Sequence, residues 1–377
     1  MKQNIIYPDY KNSILNITNS ILNRYGAKPY YSTLSVLDKV LEKNHKNTVV
    51  IIMDGMGDDM LKNNLSESSF LRSNQRGTLT SVFPSSTVPA TTAYYSGLSP
   101  LEHSWLGWSL YFKEFARYID IYPECDTHTK EKVNRSFLDY VRYESTDKKM
   151  RGIENYFVCP SGIIQDYVIQ KPVGVGSVEE MFDTICRLCN APNEKYILAY
   201  WFWPDYEMHE YGCYAASVRD FMKNTDNQIK LMCEQIQDSV IIVSADHGLI
   251  DVNERIPLDE IPEITECLIM PPFIESRAMT FFVKPDMKQA FEQRFNHLFS
   301  EDYSLFSKED VLDRNLLGTG TAHPKALDFL GDFLACAIGE RYFSYETDLS
   351  VPAHNYAALH GGLTEKEMIV PLIVIES

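Results

Sequence analysis

Six side chains in this 377-residue chain have the types and spacing for metal-assisted chemistry: Asp54, Asp205, His209, Asp246, His247 and His360. Each carboxylate follows a short apolar run: VVIIM over 49–53, ILAYWF over 197–202 and SVIIV over 239–243. His209 stands four residues beyond Asp205 in DYEMH, a spacing that puts both side chains on one face of a helix. His247 follows Asp246 directly, and His360 opens a His-Gly-Gly stretch. Mixed Asp and His donors suit zinc, or manganese as the carboxylate share grows. A fourth segment, FPSSTVPATTAYYSGLSP over 83–100, offers the hydroxyls of Ser85, Ser86, Thr87, Thr91 and Thr92 after a predicted strand at 77–82. A hydroxyl at a helix N-terminus sits where exposed N–H groups and the helix dipole favour an anion. Alone, such a turn is more often a simple cap. Beside three Asp and three His it becomes a candidate nucleophile, and the set divides into two adjacent sites of the kind two-metal phosphoryl transfer needs.

The positioning elements follow from the apolar pattern. Short β-branched runs without alternation read as central strands covered on both faces. Helical spacing is visible over 58–65, 178–189 and 215–237. This alternation predicts an α/β fold with a mostly parallel central sheet flanked by helices. Ligands in such a sheet bind beyond the carboxyl ends of the strands, so neighbouring strands would bring the six side chains to one rim. Two stretches read as additions. Residues 109–175 are rich in tyrosine and charge, whereas 258–355 carries a strand at 278–283, a helix at 287–299 and a strand at 333–338. The expected division is a catalytic domain over 1–257 plus 356–377, with a smaller α+β insertion or cap over 258–355.

Bulk composition narrows the partners. With 45% hydrophobic and 23% charged residues the chain is an ordinary soluble globular protein. A net charge of −17 argues against a nucleic-acid groove or an anionic membrane. An anionic substrate remains open, because bound metal ions reverse the field inside a cleft. The N-terminal segment has no signal-peptide pattern, and no apolar run is long enough to span a bilayer. Of eight scattered cysteines only Cys186 and Cys189 are close, and one such pair reads as two helix thiols rather than a metal site. A reducing cytoplasm is expected.

In order, these motifs resemble the alkaline phosphatase superfamily, and within it the type I phosphodiesterase/nucleotide pyrophosphatase family. They are VVIIMDGMG, the hydroxyl turn into SGLSPLEH, PDYEMHEYG (204–212), SADHGL (244–249) and HGG ahead of EMIVPL. The resemblance implies an alkaline phosphatase-like fold and two divalent metal ions, most readily zinc. It implies Asp54, Thr87, Asp246 and His247 around one metal and Asp205, His209 and His360 around the other. Thr87 is then the nucleophile, with Ser86 its competitor if the turn is one residue tighter. The implied reaction is hydrolysis of a phosphodiester or nucleotide pyrophosphate through a phospho-threonine intermediate, on a small phosphate-ester or nucleotide substrate. No Arg follows the turn at the sulfatase spacing. Ala90 departs from the family, which carries an Asn donor three residues after the nucleophile. A phosphomonoesterase, phosphonate hydrolase or phosphomutase is the alternative, and a non-catalytic metal-binding module a further one.

Smaller candidates flank these motifs. Trp105, Trp108, Trp201 and Trp203 could stack on a nucleobase, although aromatics beside a buried sheet are usually core. His103 reads as structural, His323 and His354 as cap residues near the cleft, and His45, His128 and His297 as surface. Lys148, Lys149 and Arg151 form a basic loop, either solvated or in contact with substrate.

Overall fold

The computed structural model describes residues 4–163, 171–346 and 354–377. Its central sheet is built on the predicted apolar runs. Asn47–Met53, Lys195–Trp201 and Ser239–Ser244 are buried at every position, as strands covered by helices on both faces must be. Asn47–Met53 lies between the other two and pairs in parallel with each, Ile52 being level with Tyr200 on one side and Ser244 on the other. Three neighbouring strands therefore end at one height, on one rim.

The full order is Gln75–Thr80, Ile369–Glu376, Ser239–Ser244, Asn47–Met53, Lys195–Trp201, Glu154–Pro160 and Pro172–Val175. Ile369–Glu376 runs antiparallel to both of its neighbours, while the remaining pairings are parallel. The sheet is mixed, and all three site-bearing strands lie in its parallel part.

The flanking helices bury one face. In Val178–Asn190 the buried residues Val178, Met181, Phe182, Ile185, Leu188 and Cys189 recur at helical spacing, and the Ser177 hydroxyl caps the start by accepting the Glu180 N–H at 3.2 Å. Ala216–Gln235 does the same with Val218, Met222, Ile229, Met232 and Cys233. Ile14–Arg24 carries Ile14, Ile17 and Ile21 with Leu15 and Leu22 at helical spacing, yet Asn16, Thr18, Asn19 and Ser20 are buried too. Their hydrogen bonds explain this. Asn19 donates to the carbonyls of Leu15 (2.8 Å) and Gly97 (3.1 Å), and Thr18 donates to that of Tyr94 (3.2 Å). This helix is thereby tied to the C-terminal end of Thr87–Ser96.

A second, antiparallel sheet has the order Tyr303–Ser307, Phe333–Ala337, Ala278–Phe281, Phe273–Glu275, Ser109–Phe112, Arg117–Asp120 and Cys125–Asp126. The two stretches that read as separate additions thus share one sheet, and three of its strands lie outside 258–355. Phe291, Phe295 and Phe299 of the helix Lys288–Phe299 cover part of it. All eight cysteines are free. Among the described residues, no helix is long and apolar enough to cross a membrane.

Candidate active site

Each site residue is held by the turn that follows its strand. Asp54 is buried directly after Met53; its N–H donates to the Trp201 carbonyl (3.0 Å), and its Oδ2 accepts from the Tyr200 hydroxyl. Gly55 then turns the chain with φ +72, and a Cβ there would lie 2.7 Å from Leu249 Cδ1 and 3.0 Å from Asp205 Cβ. Only glycine meets both demands. Its N–H donates to Asp246 Oδ1 at 3.1 Å. Asp205 starts the short helix Asp205–Tyr211 and is joined to Asp54 through its N–H to the Asp54 carbonyl (3.1 Å).

The hydroxyl segment enters over the same rim. Ser86 precedes the helix Thr87–Ser96, and Thr87 Oγ1 lies 3.2 Å from His247 Nε2. Ser85 is bridged to Gly361, and its hydroxyl donates to the Gly362 carbonyl at 2.8 Å. This crosslink delivers His360, whose ring stacks on His247 with centroids 3.9 Å apart.

Two groups of donors result. Asp205, His209 and His360 form one, Asp54, Asp205 and His247 the other, with the donor atoms of each within 4.8 Å of one another. Asp205 belongs to both. Asp246 Oδ2 lies 3.5 Å from His247 Nε2 and so borders the second group. The imidazoles are oriented for coordination. His209 Nδ1 is 2.8 Å from the Ala358 carbonyl and His247 Nδ1 is 3.2 Å from that of Gly248. A carbonyl only accepts, so Nδ1 carries a proton in both rings and Nε2 is the atom turned to the carboxylates, the one a cation would meet.

The residues fit a metal centre. Asp54 Oδ1, Asp205 Oδ1 and Asp246 Oδ2 are buried oxygens without a hydrogen-bond partner, a costly arrangement that a cation would relieve. Burial pushes the Asp54 carboxyl well above its usual range, and the neighbouring Asp246 and Asp205 push it further. Burial also raises Asp205, but His209 and then His360 and His247 outweigh it and hold the carboxyl low. For His209, burial lowers the imidazole, yet the Asp205 carboxylate brings it up to about 9.

Several sequence expectations find a place here. Thr87 faces the cluster, whereas Ser86 turns its hydroxyl to Glu275 Oε1 at 2.5 Å and Ser85 to Gly362. Thr91 bonds back to the Thr87 carbonyl (2.7 Å) and meets the Tyr122 hydroxyl. Ala90, in the helix Thr87–Ser96, is fully buried and packs in the core. Of the four tryptophans, Trp105 and Trp201 are buried, Trp203 packs on Phe221, and Trp108 is exposed beside Thr87. His103 is buried, His323 caps a helix, and His354 pairs with Glu210 at 3.0 Å. His128 is exposed but faces the cleft, against the Tyr118 ring. Lys149 pairs with Glu144 at 3.1 Å.

Two residues next to the cluster carried no signal in sequence. Tyr200 is one more aromatic in an apolar strand, and Glu275 sits in a second-sheet strand with no motif around it. Two cavities meet at Thr87 and Asp205. One, of about 550 Å3, contains Glu275, His209 and His360; the other, of about 660 Å3, contains Asp54, Tyr122, Lys132 and Arg135.

Solved structures share this fold. Murine ectonucleotide pyrophosphatase/phosphodiesterase 5 superposes with a TM-score of 0.63 at 16% identity, over 88% of each chain. An inactive variant of that murine protein in complex with AMP gives 0.61 at 17% identity, covering 86% of this chain and 87% of that one. Phosphonoacetate hydrolase from Sinorhizobium meliloti with phosphonoformate gives 0.59 at 15% identity, covering 86% and 89%. No curated protein sequence matches the chain. The family model for type I phosphodiesterase/nucleotide pyrophosphatase matches residues 48–361 and takes in every motif above from Asp54 to His360. The chain belongs to this family of hydrolases, within the alkaline phosphatase superfamily.

Proposed function

We propose that the chain hydrolyses phosphodiester or nucleotide pyrophosphate bonds with Thr87 as nucleophile. The observation that carries this reading is the Thr87 hydroxyl at a helix N-terminus, 3.2 Å from His247 Nε2 and beside two donor groups that share Asp205. Asp54, Thr87, Asp246 and His247 would hold one divalent cation and Asp205, His209 and His360 a second, zinc being favoured by the Asp and His donor set. Such ions supply a lowered pKa for the attacking hydroxyl and charge neutralisation at the leaving oxygen.

The chain's own residues do the rest. Thr87 loses its proton, and its Oγ1 bonds to phosphorus as the bond from phosphorus to the leaving oxygen breaks. Water then attacks the phospho-threonine; the threonine oxygen leaves and regains a proton. The exposed N–H groups at the start of Thr87–Ser96 favour an anion at this point. Tyr200 and the carbonyls behind His209 and His247 keep the cluster aligned. Free thiols throughout agree with a reducing compartment, and the cap is read as one unit drawn from both 109–126 and 258–346.

Ala90 favours a second reading within the same chemistry, a phosphomonoesterase or phosphonate hydrolase, because it presents no donor to a phosphoryl oxygen. Wild type and Thr87→Ala, each with added zinc or manganese, separate these readings. The substrates are bis-4-nitrophenyl phosphate, 4-nitrophenyl phosphate and the 4-nitrophenyl ester of thymidine monophosphate. Diester turnover that falls by roughly 10³-fold or more in Thr87→Ala is expected. Cleavage of the monoester alone moves the assignment to the second reading. A metal-loaded protein that cuts none of the three overturns both.

A further inference from the structure

Tyr122 reaches the helix Thr87–Ser96 from the second sheet. It follows the strand Arg117–Asp120, and the Ile121 N–H just before it donates to the Trp108 carbonyl at 2.9 Å. Its half-buried ring is held between two indoles, with centroids 6.2 Å from those of both Trp105 and Trp108. The phenol oxygen meets the hydroxyl of Thr91. Thr91 stands four residues after Thr87 in the same helix, and therefore on the same face. Tyr122 lines the cavity of about 660 Å3 together with Asp54, Thr87 and Asp205.

Other donors of that cavity have partners of their own. Lys132 donates to the Pro123 carbonyl at 2.6 Å, Arg135 pairs with Glu124 at 3.1 Å, and Tyr200 gives its hydroxyl to Asp54. Tyr122 differs, because its partner can release it. Thr91 places its own proton on the Thr87 carbonyl at 2.7 Å, and Tyr122 then donates to Thr91. When Thr91 turns its proton to Tyr122 instead, the Thr87 carbonyl stays in the helix ladder and the phenol proton is free for the cavity. Burial raises the phenol well above its ordinary range. Thr91 and Thr92 oppose that rise, and the Asp246 and Asp54 carboxylates add to it. The proton is thus present at any ordinary pH.

We propose that Tyr122 is a catalytic donor: its hydroxyl, backed by that of Thr91, hydrogen-bonds a non-bridging oxygen of the phosphoryl group passing to Thr87. The proposal rests on the reading of Thr87 as the nucleophile. Charge gathers on those oxygens in the transition state, where a donor already fixed in place is worth most. No proton leaves the tyrosine; the two hydroxyls only exchange partners. The Thr91–Tyr122 bond also ties the loop after Arg117–Asp120 to the nucleophile helix, so a test must separate donation from crosslinking.

Tyr122→Phe and Thr91→Val break the same crosslink, but only the first removes the donated proton. Both are compared with wild type, zinc-loaded, for binding of orthovanadate by titration calorimetry and for turnover of the three nitrophenyl esters above. Tyr122→Phe is expected to weaken vanadate at least about tenfold and to lower kcat by about 10²-fold or more, with KM within about threefold. Thr91→Val is expected to stay within about threefold for vanadate and tenfold for kcat. Zinc-dependent melting of both variants checks that they fold and load. Equal losses in the two variants reduce the bond to a crosslink and overturn the proposal, as does a Tyr122→Phe protein that matches wild type. Discrimination on vanadate without turnover of any ester keeps the Tyr122 donor and sinks the hydrolase reading. Turnover by wild type that Tyr122→Phe retains does the reverse, and a wild type that neither binds vanadate nor cuts an ester overturns both.

Discussion

Arg277 and Glu367 form a fully buried, two-pronged ion pair, with Nε to Oε1 at 2.7 Å and Nη2 to Oε2 at 2.9 Å. The same carboxylate accepts the Gly362 N–H (2.8 Å) and the Thr364 hydroxyl (2.6 Å). It thus fixes the turn that begins at His360. Removing one partner leaves the other charged and unpaired in the interior. Glu367→Gln is expected to lower unfolding stability by about 3–5 kcal/mol in urea titrations. The double variant Arg277→Met with Glu367→Leu is expected to regain much of that stability but not the activity, since the Gly362 N–H loses its acceptor. Full activity in the double variant would show that the turn needs no such anchor.

The orphaned carboxylate oxygens predict a metal-dependent fold stability. Ligand at 100 times its dissociation constant stabilises a protein by about 2.7 kcal/mol. Chelation is expected to lower the melting temperature and zinc to restore it. Asp205→Asn, which strikes the residue common to both donor groups, is expected to abolish most of the zinc response. A melting temperature indifferent to chelator and zinc in wild type counts against the site.

Gly55 is the narrowest point of the strand exit. Gly55→Ala places a methyl against Leu249 and Asp205 at a positive φ. A loss of roughly 2 kcal/mol or more is expected, together with a fall in kcat, because Asp54 and Asp205 flank the clash. Calorimetric melting and steady-state kinetics check the two effects separately.

His103 predicts an acid limit outside the site. Burial pushes its imidazole down to about 3, and Nδ1 accepts the Trp105 N–H at 3.0 Å. The folded value lies below the unfolded one of about 6.5, so unfolding takes up a proton between them. This contribution is complete above pH 6.5 and is lost progressively as pH falls toward 3. Between pH 7 and 5 it amounts to about 2 kcal/mol. Urea titrations at both pH values are expected to show a smaller decline for His103→Gln than for wild type.

The parallel core and the motif residues were legible because each uses a local rule. The helices predicted at 58–65 and 178–189 form as Asp58–Asn64 and Val178–Asn190, and the strand predicted at 333–338 forms as Phe333–Ala337. Three carboxylates after three apolar runs announced a shared rim, although only the pairing register shows that the runs end level. In Ile14–Arg24 the Ile and Leu spacing is helical, but frequent Asn, Thr and Ser make the segment read as polar; Thr18 and Asn19 are buried through partners 76 and 78 residues away. Glu275 was invisible for a related reason. Its role comes from pairing Ile274 with Ser109 across the second sheet, a contact between two stretches whose composition suggested separate additions.

The antiparallel strand Ile369–Glu376 lies inside the sheet, between Gln75–Thr80 and Ser239–Ser244. On a ribosome it emerges after every other strand described here. Until then Ser239–Ser244, which leads into Asp246 and His247, exposes an unpaired edge, and Gln75–Thr80, which leads to Thr87, has nowhere to dock. The apolar edge of Ser239–Ser244 must stay open until the last of these strands is made, and such an edge is prone to mispairing. Closure of this seam joins the strand that leads to Thr87 to the strand that leads to Asp246 and His247, so a chain cut short before residue 369 lacks the element that holds the two segments together.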